Sequence, residues 1–378
     1  MKVDCRFFTG EKPCRFHKQT GADGQDCRHY SPVKEKILII KMGAMGDVLR
    51  TTCILPGLKE KYPDSHVTWV VEKGSGELLA NIPAVDRVME YSSHCYPVLM
   101  TEEFDLLLGL DSSPVSGGIS QQVKSREKRG FGLSKDGKVY PFNRGAERWF
   151  AMGVSDNLKR ANTRTYQEIV CRIARVDPTN QRVIINLTGE EKQFASMFAK
   201  EHKISGAYPV IGLNTGAGDR WRYKKWTLEG YLELVGMLGE EVGGKVLLFG
   251  GAGDSKRNRW LAANSGTPVL DTGSSNTLRQ FFALLGFCDV VVTGDTLAAH
   301  AAVGLDKSAV VLFGPTSPSE VDLYGRGEKV VAPVDCVGCY RNDCDREPSC
   351  MDAITAQMVL DAVKRLLSRG KRNAQVNP

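Results

Sequence analysis

The sequence has no apolar run near the roughly 20 residues that a membrane-spanning helix needs. Its first residues, Met-Lys-Val-Asp-Cys-Arg-Phe-Phe, lack the apolar core and small-residue cleavage site of a secretory signal. These two absences point to a cytoplasmic protein. Aromatic residues make up only 8%, and those near the basic stretch form no RNA-binding signature, so nucleic acid is not an expected partner. The first glycine-rich turn, at Gly43–Gly46, has neither the G-x-G-x-x-G spacing of dinucleotide folds nor the G-K-[ST] of a phosphate loop. No internal repeat is present beyond a recurring strand–helix alternation.

What is present fits two domains. A chain of 378 residues is long for a single core and suits two units of about 150–180 residues each. Net charge is +6, and it is uneven. Between Gln121 and Arg164 stand eleven Lys and Arg against four acids. Such an excess raises the local concentration of an anionic partner. A solvated mixed-charge face is the plain alternative.

Eleven cysteines are many for a reducing compartment, and most are clustered. Cys336, Cys339, Cys344 and Cys350 offer four thiolates, enough to close a tetrahedral structural site holding zinc or iron. Cys5, Cys14 and Cys27, near His17 and His29, are candidates for a second site. Reduced free thiols are the alternative for both groups. The isolated Cys53, Cys95, Cys171 and Cys288 read as small core residues.

Residues 1–33 form a Cys/His-rich leader. From Lys36 onward, short apolar runs alternate with helical stretches, the pattern of a parallel α/β sheet. Expected strands include Ile37–Ile40, Val67–Val71, Phe104–Leu108, Pro209–Leu213, Lys245–Phe249, Val290–Thr293 and Ala309–Phe313. A helix is expected over Asp47–Tyr62, and another over Thr227–Glu241 with Thr227 as its N-cap. Residues 115–165 are Gly- and charge-rich and give no clear pattern. Asp177-Pro178 marks a linker. The expected layout is a first domain over 34–176, a second over 177–350, a terminal helix over 351–370 packing back toward the first domain, and a tail over 371–378.

Four loops carry chemistry, each a small-residue turn after a buried-type strand. That is where α/β proteins present backbone N–H groups and a positive helix end to an anion. Gly43-Ala-Met-Gly-Asp47 puts a carboxylate in the first turn of a helix, as a general base for an acceptor hydroxyl or as a plain N-cap. Asn214-Thr-Gly-Ala-Gly, followed by Lys224, combines hydroxyl and N–H donors with a cation and suits a diphosphate; a solvated loop with a Trp anchor is the alternative. Gly250-Gly-Ala-Gly-Asp254 repeats the form, with Asp254 either binding hydroxyls or capping. Gly294-Asp-Thr-Leu-Ala-Ala-His300 offers a phosphate-facing helix start with a histidine behind it, although a satisfied core histidine is the commoner case.

In this order and spacing, over residues 36–370, the loops resemble the bacterial heptosyltransferases, the ADP-heptose:lipopolysaccharide enzymes of glycosyltransferase family 9. Phe313-Gly-Pro-Thr316 and the Cys cluster leading to Met351 also match. The resemblance implies a GT-B fold: two Rossmann-like parallel-sheet domains facing across a cleft, with acceptor on the first and nucleotide-sugar on the second. It implies inverting transfer from an ADP-sugar without a catalytic metal, with Asp47 as base. Thr215, Gly216, Lys224, Asp254, Gly294, Asp295, Thr296 and His300 are the implied donor-binding set. Gly46, Lys124, Arg126, Arg129 and Arg144 form the expected acceptor-binding set, suited to an anionic lipid-linked glycan met at the inner membrane surface. The implied partners are ADP-heptose and that glycan. Departures from the family pattern are Leu297 where Gly is frequent, Cys53 where Pro is frequent, Gly253 where some members have an acid, and the leader itself. A protein O-heptosyltransferase on the same fold, or a non-catalytic metal-binding interaction protein, are the competing readings.

Overall fold

The computed structural model describes residues 2–22, 26–179, 181–204, 206, 208–218 and 221–376, with Arg222 and residues 371–376 described in backbone only. It falls into two compact units. The first comprises Met1–Ala44, Cys53–Val154 and Glu168–Gln181; the second comprises Met45–Thr52, Ser155–Gln167 and Arg182–Pro378. The helix of the Asp47 loop therefore belongs, by its contacts, to the second unit.

The first unit holds strands β1 (Lys36–Ile40), β2 (His66–Val71), β3 (Arg87–Glu90), β4 (Glu103–Gly109), β5 (Lys124–Leu133) and β6 (Val139–Pro141). Their order is β3-β2-β1-β4-β5-β6, parallel except for the antiparallel β5–β6 pair. β1 is central, and Ile37–Ile40 are fully buried. Continuous apolar runs like this mark strands covered on both faces. The chain leaves β1 toward β2 and later returns to pair β4 on its other side, so the strand order reverses between β1 and β4. At that point Lys41 and Asp111 form a buried ion pair. Asp111 Oδ2 also accepts from the backbone N–H of Met42 and, at 3.1 Å, of Gly43. This carboxylate sets the path of the chain just before the Asp47 helix.

The second unit holds β7 (Val210–Asn214), β8 (Lys245–Phe249), β9 (Val269–Asp271), β10 (Val290–Gly294), β11 (Ser308–Phe313) and β12 (Gly327–Val331). All pair in parallel in the order β12-β11-β10-β7-β8-β9. Its core packs Ile211, Leu213, Val290, Val292, Val310 and Leu312 against Tyr231, Leu234 and Leu238 of the Leu228–Glu241 helix, each worth roughly 1.5–3 kcal/mol on burial. Strand order reverses between β7 and β10, where Asn214 pairs with Thr293. Ligands of open α/β sheets bind at such reversals, beyond the carboxyl ends of the strands.

Several expectations need adjusting. The expected Asp47–Tyr62 helix is broken into Met45–Thr51, a 3-10 turn at Thr52–Ile54, and Leu55–Lys61. Pro56 stands in the first turn of the last piece, where its missing N–H costs nothing. Residues 115–165 resolve into a Pro114–Gln122 helix, β5, β6, and helices Arg144–Gly153 and Asp156–Arg160. The terminal helix spans Ala356–Val376 and packs on the Leu228–Glu241 helix and on β10, β11 and β12, all in the second unit. It continues through most of the expected tail; Asn377 and Pro378 lie outside the described residues. No helix among the described residues is long and apolar enough to cross a membrane.

Candidate active site

Asp47 lies in the first turn of the Met45–Thr51 helix, directly after Ala44, whose φ is 45°. This helix packs against the Leu297–Gly304 helix that follows β10. The approach is close at Gly46, where a Cβ would stand 3.3 Å from His300 Cδ2 and 3.6 Å from the Leu297 nitrogen. The carboxylate-bearing helix and the expected phosphate-facing helix start are thus brought together.

Thr296 caps the Leu297–Gly304 helix, its hydroxyl accepting from the Ala298 N–H. Asn214, from the end of β7, donates to Gly216 O at 2.9 Å, Thr293 Oγ1 at 3.1 Å and Thr296 Oγ1 at 3.4 Å, tying the loops after β7 and β10 together. Lys224 Nζ donates to Asp295 Oδ2 at 2.9 Å and Asp295 O at 3.1 Å. Burial works against an ionised Asp295, but Lys224, then His300 and Arg50, outweigh it and hold the carboxyl down at about 2. His300 is 3% exposed, and its Nδ1 has no hydrogen-bond partner among the described residues. Burial first and then Arg50 lower it to about 4, so it is a neutral imidazole near pH 7.

Arg50 was not singled out by the sequence, though it stands one turn beyond Asp47. It pairs with Asp47 Oδ1 at 2.8 Å, and its guanidinium lies 3.8 Å from the centre of the Tyr166 ring. Tyr166, Glu320 and Tyr340 had no sequence motif. The Tyr340 hydroxyl donates to Glu320 Oε1 at 2.8 Å, and Lys159 sits 4.1 Å over the Tyr340 ring. Burial raises the Glu320 carboxyl, against the Tyr340 hydrogen bond and Arg50.

The remaining donor-set residues form the floor of the loops. Thr215 is buried, and its hydroxyl donates to Asn258 Oδ1 at 2.6 Å. Asp254 is buried, accepts from the Gly251 N–H at 3.1 Å, and lies 3.4 Å from Lys225 Nζ. Gly216 is pressed on that carboxylate: a Cβ there would come within 2.0 Å of Asp254 Oδ2. Gly294 ends β10. Trp226 is buried and donates to Ile354 O at 3.0 Å, anchoring the end of the loop.

The expected acceptor set does not form one patch of available cations. Lys124 and Arg126 are on β5, where they pair with Glu103 at 3.2 Å and Asp105 at 3.7 Å. Arg129 is 2% exposed, with its guanidinium on the Glu127 carboxylate and the Ala174 carbonyl, so it is a structural residue of the first unit. Arg144 opens its helix, exposed.

The expected metal sites are also corrected. Among the described residues, no group of three or more His, Cys, Asp or Glu side chains is arranged to hold a metal ion. Cys336, Cys339, Cys344 and Cys350 are free thiols. Burial, with the three neighbouring cysteines, pushes Cys350 up to about 11. In the leader, Cys5, Cys14 and Cys27 are free as well. His29 stacks on Phe16 at 4.0 Å, and His17 Nδ1 lies 3.1 Å from Ala22 O.

Residues 99–349 match the model of glycosyltransferase family 9 (heptosyltransferase). Lipopolysaccharide heptosyltransferase 2 of Salmonella typhimurium is 25% identical over 362 residues, covering 88% of this chain and 99% of its own. Among solved structures, a family 9 glycosyl transferase from Veillonella parvula superposes with a TM-score of 0.73 at 17% identity, covering 89% of this chain and 98% of that one. The E. coli ADP-heptose LPS heptosyltransferase II superposes at 0.64 and 19% identity, covering 89% and 99%. The two-sheet α/β architecture expected from the sequence is the one these structures share.

Proposed function

Because this chain belongs to glycosyltransferase family 9, the heptosyltransferase family, and is accordingly a glycosyltransferase, we propose that it transfers a heptose from ADP-heptose, with inversion, to an anionic inner-core-type glycan. The observation that carries the reading is the packing of the Asp47 helix against the start of the Leu297–Gly304 helix, with Gly46 against His300. It sets a carboxylate beside the N-terminal end of that helix, the end an anion would meet, near the Lys224–Asp295 pair. The named relatives, a lipopolysaccharide heptosyltransferase and an ADP-heptose LPS heptosyltransferase, support the choice of donor and acceptor class.

In this proposal Asp47 accepts the proton of an acceptor hydroxyl as that oxygen attacks the anomeric carbon. The bond from that carbon to the diphosphate breaks on the opposite face, and ADP departs with the bonding electrons. Lys224, aimed by Asp295, and the N–H groups of the capped helix take up the charge developing on the diphosphate. His300, neutral, fills the space behind them without adding charge. A lipid-linked acceptor makes the inner membrane surface the place of action.

The test has two arms. ADP should raise the melting temperature more than UDP or GDP at equal concentration. Asp47→Asn should bind ADP as the parent does yet lose at least 100-fold in heptose transfer to truncated inner-core lipopolysaccharide. Undiminished transfer by Asp47→Asn would remove the mechanism, and a stronger response to UDP would remove the donor.

A further inference from the structure

The proposed base does not stand alone on its helix. Asp47 is at the solvent end of a chain of contacts, its side chain 35% exposed, while the Arg50 side chain it pairs with is 10% exposed. An exposed carboxylate–guanidinium pair one turn apart is ordinarily mobile, two long side chains exchanging partners with water. Here the guanidinium is held on two sides: Asp47 pairs with Nη2, and the Tyr166 ring, from a separate helix, Tyr166–Ala174, covers the group at 3.8 Å. The Tyr166 hydroxyl shares a 2.6 Å hydrogen bond with Thr51 Oγ1, and Thr51 Oγ1 donates at 2.6 Å to the carbonyl of Asp47 itself. Ring, guanidinium, carboxylate and helix carbonyl close a ring of contacts around the base.

We infer that Arg50 is the positioning residue of the Asp47 base: stacked on Tyr166, whose hydroxyl Thr51 holds, it fixes the carboxylate's rotamer for the acceptor proton. The inference rests on Asp47 being the base, and it adds residues that no family motif quoted above contains.

The charges around the pair decide how the effect can be read. On the same helix the charged neighbour is Arg50. From the Leu297–Gly304 helix comes His300, neutral at working pH. Asp295, with Lys224 paired to it, precedes that helix. From the Pro318–Glu320 turn comes Glu320, with Tyr340 and Lys159 beyond it. Burial opposes charge on Arg50, but Asp47, Tyr166, Asp295 and Glu320 together raise it, so it stays a cation at every pH at which the protein is folded. Asp295, held at about 2, stays an anion down to about pH 3, and His300, at about 4, gains its proton only at the acid end of the profile. An opposite charge in contact lowers a carboxyl by one to three units, the smaller figure suiting a partly exposed group. Removing Arg50 takes away the cation that favours the charged carboxylate, so the acid limb of the rate profile is expected to move to higher pH.

The experiment measures ADP release from ADP-heptose, with truncated inner-core lipopolysaccharide as acceptor, between pH 3 and 8.5. Parent, Arg50→Gln, Arg50→Lys, Tyr166→Leu and Asp47→Asn are compared. Arg50→Gln should lower kcat at least tenfold with KM for ADP-heptose changed less than threefold, and should shift the acid limb up by about one pH unit. Arg50→Lys keeps the charge and should restore the limb while recovering only part of kcat. If Arg50→Gln does not fold, Tyr166→Leu carries the test: an upward limb shift of several tenths supports the clamp. An acid limb that stays put in Arg50→Gln, or in Tyr166→Leu where that variant carries the test, overturns the inference, because a merely structural role lowers rate at all pH alike. Full transfer by Asp47→Asn overturns it from beneath, by removing the base.

Discussion

Lys224 and Asp295 form an ion pair at 2.9 Å in which both side chains are largely buried, the lysine closing back on the Asp295 carbonyl as well. Two charges taken out of water this way are tolerable together and costly apart. Lys224→Met, which strands the carboxylate, should lower unfolding free energy by about 3 kcal/mol in urea titration. Lys224→Met with Asp295→Asn should recover most of that loss. ADP affinity by calorimetry should fall at least tenfold in both, since the cation for the diphosphate is gone in both.

His300 gives the protein a pH-dependent stability of known sign. Its folded pKa, about 4, lies below its ordinary value of 6.5, so the unfolded chain binds the proton more readily. Stability is then fully present above about pH 6.5 and falls as pH drops toward 4. Between pH 8 and pH 5 the loss from this residue is roughly 2 kcal/mol. Urea midpoints at those two pH values should converge in His300→Asn relative to the parent; an equal pH dependence in both would contradict a buried neutral imidazole.

Gly216 allows the loop after β7 to press on Asp254. Gly216→Ala would drive a methyl to within 2.0 Å of that carboxylate, and the buried Asp254–Lys225 contact would have to open. A loss of about 2 kcal/mol is expected, in the range of overpacked sites. Weaker ADP binding by calorimetry should accompany it, whereas Gly218→Ala, at a position where no atom lies within 4 Å of an added Cβ but φ is +67°, should act only through the backbone.

Asp111 is the corresponding fixed point of the first unit. Asp111→Ala removes a carboxylate partner of buried Lys41 and an acceptor of the Met42 and Gly43 N–H groups. The expected cost is about 3–5 kcal/mol by urea titration, as for other broken buried pairs. Asp111→Asn keeps one acceptor oxygen and should cost less.

The sheets were legible because parallel strands covered on both faces must be apolar throughout, and Ile37–Ile40 or Val290–Val292 can hardly be anything else. The carboxylate, lysine and helix-start loops were legible because close backbone approach needs glycine. The Gly189–Glu201 helix went unread although its capping box, Thr188 with Glu191, stands in the sequence. In the basic stretch a count of charges did not reveal partners: Arg129 pairs with Glu127, two residues away along the strand. Tyr166, Glu320 and Tyr340 could not be read at all. They reach the neighbourhood of Arg50 from segments more than a hundred residues along the chain, by tertiary packing that leaves no local pattern.

Residues 45–52 and 155–167 keep company with the C-terminal half although they are encoded in the N-terminal one. A chimera that exchanges halves at Asp177-Pro178, the obvious seam, would therefore tear Gly46 from His300 and Arg50 from its charged surroundings. Recombination that respects this molecule must carry both small inserts along with the second sheet, so five cuts are needed where a linear map suggests one.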